Sequence, residues 1–140
     1  MYYLPDKEDL RLGYEYEEFL PYHNKWEKRV ITELSNDKDG GGGFADIEFL
    51  INSFPQHVRV SNLTKEQIES EGWELMITED WVKVSVFNKN DFQYELLFDE
   101  LKHTITVIKF RKKESSILFS GECLSINEFR MITRKSLKIE

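Results

Sequence analysis

The sequence predicts an antiparallel α+β fold, and three observations predict it. Segments of period-two hydrophobicity recur along most of the chain, short polar connectors join them, and only two segments carry helix-start signals. A parallel sheet would need a helix between successive strands, which this pattern lacks. At 140 residues, 14% of them aromatic, the chain is read as a single domain over 1–140. A chain of this length buries roughly two-thirds of its unfolded surface. The expected architecture is a mainly antiparallel sheet with a short middle helix and a C-terminal amphipathic helix.

Taken in order, Leu10, Leu12, Tyr14 and Tyr16 alternate with Arg11, Gly13, Glu15 and Glu17, as a half-exposed strand requires. Segments 26–33 and 44–51 read as two more strands, and 58–60 as a short fourth. Between them, 36–43 holds four consecutive glycines and reads as a flexible Gly-rich loop. The middle helix is predicted at 65–71. Thr64 and Gln67 form a capping box, Leu63 and Ile68 sit where a hydrophobic staple needs them, and Gly72 ends the helix in a left-handed conformation. Strands follow at 74–77, 81–87, 92–98, 104–110 and 117–121. The last helix is predicted at 126–137, with Ser125 and Glu128 as its capping box and Leu124 and Phe129 as its staple. Ile126, Phe129, Ile132 and Leu137 fall on one face, while Arg130, Arg134 and Lys138 form a basic stripe.

Charge is unevenly spread. Residues 1–100 hold 10 Lys and Arg against 22 Asp and Glu, whereas residues 101–140 hold 9 against 4. An acidic body with a basic end suits docking on other macromolecules. The net charge of −7 opposes general affinity for nucleic acid or anionic lipid. Cys123 is the single cysteine, no leader-like or membrane-spanning stretch is present, and a soluble cytoplasmic protein is expected.

Motifs for chemistry are weak. The glycine run lacks the Lys-Ser/Thr of a phosphate loop, and Asp37 and Asp39 repel phosphate. A calcium loop starting at Ser35 has Asp37, Asp39, Gly40 and Asp46 in register but the wrong residues at its first and last positions. His23, His57 and His103 are far apart and no Cys-x-x-Cys pair exists, so no metal and no cofactor are expected. Cys123 between an apolar strand and a capped helix reads as a buried thiol, although pairing with a distant histidine would make a nucleophile. Glu15 and Glu17 share one strand face and present an acidic edge to a basic partner. Arg111, Lys112, Lys113, Arg130, Arg134 and Lys138 form a candidate nucleic-acid contact, or else a hairpin tip and the cationic end of a helix.

Three stretches, 10–17, 64–73 and 117–130, resemble small uncharacterised proteins carried by bacterial phages and prophages. The last joins strand, Gly121, Cys123 and capped helix in one run. Proteins of that kind are similar to inhibitors of host defence, anti-CRISPR proteins among them, with a type VI RNA-targeting effector as the implied target. The resemblance implies a non-catalytic protein of the bacterial host cytoplasm that binds an RNA-guided nuclease, with no membrane and no small-molecule substrate. Glu15, Glu17, Asp37 and Asp39 are then its expected partner contacts. Two alternatives stay open: a weak nucleic-acid-binding accessory protein using the basic C-terminal residues, and a hydrolase built on Cys123.

Overall fold

The structure, a computed structural model, describes residues 1–32 and 44–140, with side chains of the second stretch from 47 onward. It is α+β: two antiparallel sheets with three α-helices among the described residues. The chain divides into two compact units, 1–62 and 63–140, each with its own hydrophobic core. Apolar periodicity marks which residues are buried but not which of them share a core.

In the first unit β1 (Tyr2–Tyr3), β2 (Glu15–Leu20), β3 (Lys25–Val30) and β4 (Val58–Ser61) form a sheet in the order β1-β4-β2-β3. Helix α1 (Phe44–Ser53) packs on one face. Its Ile47, Leu50 and Ile51 meet Tyr3, Tyr16, Val58 and Val60, with Leu10, Tyr14 and Ile31 completing the core. The strand expected at 44–51 is therefore a helix. That run, with Asp46 and Glu48 set among apolar residues, fits either period, but burial at 47, 50 and 51 follows helical spacing of three and four. The strand expected from residue 10 begins at Glu15 instead. Gly13 takes a φ of +83° and turns the chain, so Leu12 is exposed while Leu10 and Tyr14 are buried. The Gly-rich loop of 36–43 lies outside the described residues.

In the second unit α2 (Lys65–Ser70) precedes a meander of β5 (Glu74–Glu79), β6 (Val84–Lys89), β7 (Tyr94–Asp99), β8 (Thr104–Arg111) and β9 (Glu114–Glu122). The Thr64 box forms as the sequence predicts. Gln67 N–H donates to the Thr64 hydroxyl at 3.2 Å, and Thr64 N–H donates to the Gln67 side chain at 3.0 Å. Gly72 stops the helix at φ +92°. The strand expected at 81–87 starts at Val84, because residues 80–83 close a hairpin in which Lys83 is left-handed.

Helix α3 (Ile126–Arg130) continues as a π-helical segment, Met131–Ser136, so the expected α-helix over 126–137 is regular only in its first half. Leu137 N–H reaches back five residues to the Ile132 carbonyl at 2.9 Å, and the Thr133 hydroxyl bonds the Phe129 carbonyl at 2.8 Å. Its cap is also displaced: Glu128 accepts from Leu124 N–H at 2.6 Å, and the buried Ser125 hydroxyl makes no hydrogen bond. Ile126 and Phe129 enter a core with Leu63, Ile68, Trp73, Phe87, Leu96, Phe98, Ile105 and Val107, and Ile132 and Leu137 pack at its margin.

Candidate functional site

With α1 covering one face of the first sheet, strand alternation turns the opposite set of side chains outward. Register aligns them in rows: Glu17 lies across from Arg59 on one side and Lys28 on the other, and Phe19 lies across from Trp26. Arg59 sits between the buried Val58 and Val60, so its side chain must leave the core face.

The Arg59 guanidinium carbon is 3.6 Å from the Tyr2 ring centroid and 4.0 Å from the Trp26 ring centroid. Tyr2 on β1 and Trp26 on β3 come from different sides of β4, and both rings hold the guanidinium by cation–π contact. Its Nε and Nη2 both reach Glu17 Oε1 at 2.8 Å. From Trp26 the aromatic contacts run on through Phe19 (5.4 Å between centroids) to His57 (5.6 Å). Phe54 then stacks on His57 at 5.7 Å with an 8° interplanar angle, and Phe49 meets Phe54 at 6.0 Å. Tyr2, Phe49 and Phe54 are about half exposed despite these contacts. The result is a continuous aromatic band ending in a fixed arginine, the residue types that dominate buried contacts in protein interfaces.

Removing the arginine tests the clamp. Arg59→Ala should lose about 2 kcal/mol in urea unfolding, because it leaves the Glu17 carboxylate, 16% exposed, without its cation. Arg59→Lys should recover little of it, since an ammonium cannot be stacked as a plane. Full recovery by lysine would show that charge alone matters.

The residues singled out in the sequence fare differently. Glu15 and Glu17 do share the outward face of β2, but Glu17 is neutralised within the molecule. Asp37 and Asp39 lie outside the described residues. Arg111, Lys112 and Lys113 are exposed at the β8–β9 hairpin, and Lys138 is exposed with a φ of +55°. Arg130 and Arg134 are drawn onto one carboxylate, with Glu71 Oε2 at 3.1 Å from Arg130 and Oε1 at 2.6 Å from Arg134. That carboxylate is 5% exposed, so the predicted basic stripe fastens α3 and its π-helical continuation to the end of α2.

Cys123 is fully buried, its thiol directed at the Ser125 carbonyl at 3.7 Å. Burial, reinforced by Glu128, pushes the thiol well above its ordinary range, the reverse of an activated nucleophile. His103 meets Cys123 through the backbone, its carbonyl accepting from Cys123 N–H at 2.8 Å. Among the described residues no three His, Cys, Asp or Glu side chains converge as a metal site, and no helix is long and apolar enough to cross a membrane.

Sequence reasoning missed Arg59, Tyr2, Phe49 and Phe54. The alternation Val58-Arg59-Val60 marks Arg59 as outward, but its pairing with Tyr2 and Trp26 depends on the strand order. Comparison with known proteins finds no family model, no curated protein and no solved structure that matches this chain.

Proposed function

We propose that this protein is a non-catalytic binding module that docks on a cationic protein surface through the aromatic band that runs from the outer face of its first sheet to α1. The accessible aromatic band beside the clamped Arg59 carries this reading. Rings held by one another lose little entropy on binding, and aromatic and arginine anchors supply most interface energy. Residues 1–62 hold seven Lys and Arg against twelve Asp and Glu, so the unit steers toward a basic partner. Glu15 contributes to that steering, while Glu17 acts by fixing Arg59. In its most specific form the partner is a host RNA-guided nuclease of the type VI class with its guide RNA, inhibited in the bacterial cytoplasm. The strongly basic channels of such effectors match an acidic docking unit.

The test mixes the purified protein with a purified type VI effector–guide complex and measures affinity and target-RNA cleavage. Trp26→Ala with Phe54→Ala should weaken binding roughly 100-fold and restore cleavage, with melting checked in parallel. Absence of binding to the effector removes the nuclease reading. Wild-type affinity in the double variant removes the aromatic face. Retention of RNA by the protein alone, falling steeply with salt, would favour the exposed Arg111, Lys112 and Lys113 instead.

A further inference from the structure

Two hairpin loops at one end of the second sheet hold large apolar side chains out into water. Glu79 pairs with Val84 and Asp99 with Thr104, so the loops are residues 80–83 and 100–103. Both have the same build: an acid first, a large apolar residue second, and a left-handed residue last, Lys83 and His103 each at φ +54°. The second positions are Trp81, 84% exposed, and Leu101, 67% exposed. Turns of this kind ordinarily place polar residues there.

The two tips are neighbours. Val84 pairs with Asp99, and Glu100 N–H donates to the Lys83 carbonyl at 3.0 Å, so two strand spacings place the loops about 10 Å apart. The other two hairpins of the meander lie at the opposite end and bring Phe92 and the Arg111–Lys113 tip there. Around Trp81 and Leu101 stand Glu79, Asp80, Asp99 and Glu100 against Lys83 and Lys102. Asp99 is partly engaged, accepting from Lys102 N–H at 3.0 Å.

This composition selects among occupants. Anionic membrane would meet four carboxylates at its surface, and a second copy would bring like charges together. We propose that the paired tips are an anchor for an apolar cleft rimmed by Lys and Arg on a protein partner. Trp81 and Leu101 fill the cleft, and Glu79, Asp80 and Glu100 meet the rim. This site lies on the other unit from the aromatic band and does not depend on it.

The probe is a labelled peptide of alternating Leu and Lys, followed by anisotropy, with its Leu/Glu counterpart as control. The full chain should bind the Leu/Lys peptide alone. Trp81→Ser with Leu101→Ser, which keeps every charge, should weaken binding about tenfold. Glu79→Gln with Asp80→Asn and Glu100→Gln, which keeps both apolar tips, should do the same and flatten the salt dependence. Melting temperatures should change little, because Trp81, Leu101, Glu79 and Asp80 are exposed and Glu100 is only partly buried. Undiminished binding by the Ser variant would reduce the effect to general attraction by an acidic protein and overturn the anchor. So would failure to bind the peptide, self-association lost with Trp81, or partition into phosphatidylcholine or phosphatidylglycerol vesicles with a blue shift that Trp81→Phe abolishes.

Discussion

Phe129→Ala is expected to cost about 4 kcal/mol, a large part of the roughly 5–15 kcal/mol that holds a domain of ordinary stability. The Phe129 side chain is fully buried, and its ring meets Trp73 edge-on at 6.3 Å with a 69° interplanar angle. It stands where α3 closes the second core over the sheet, so truncation leaves a void with no nearby side chain free to fill it. Urea unfolding followed by fluorescence checks this, since Trp73 is itself buried in the same core. Phe129→Leu keeps much of the volume and should lose about 1–2 kcal/mol. A loss below about 1 kcal/mol for the alanine variant would mean that this core is not closed as described.

Ile47→Ala should cost about 3 kcal/mol, while Phe49→Ala stays within about 0.5 kcal/mol of wild type. Ile47 is fully buried and Phe49 is 58% exposed, its ring meeting that of Phe54. The comparison discriminates between two backbones. A strand would put residues 47 and 49 on the same face and make both changes costly, whereas a helix rotates Phe49 out to solvent. Equal losses at the two positions would restore the strand. Phe49→Ala should instead weaken partner binding, because its ring ends the aromatic band.

Elements marked by local chemistry were legible in the sequence. Thr64, Gln67 and Gly72 lie within one helix of each other, and their hydrogen bonds and left-handed stop need no distant partner. The start of β8 was equally plain, because Ile105 and Val107 alternate with Thr104 and Thr106, a pattern with one solution for a one-sided sheet. Legibility failed where two periods fit the same residues, as over 44–51, and where a cap competes with a neighbour, as at Ser125 and Glu128. It failed again at the tips, since the strand pattern of Val82, Val84 and Val86 extends back to Trp81 although the chain turns there.

By itself the sequence determined the α+β class, the two helix starts flanking the meander, the acidic bias of the first hundred residues and the outward faces of Glu15 and Glu17. Tertiary structure alone decided that Arg59 would stack on Tyr2 and Trp26, and that Arg130 and Arg134 would spend their charge on Glu71. It also decided that the loops bearing Trp81 and Leu101 would lie at the same end of the second sheet. Periodicity and capping act over a few residues and are written in local order. Contacts between strands depend on register and sheet order, which arise only when residues distant along the chain are brought together.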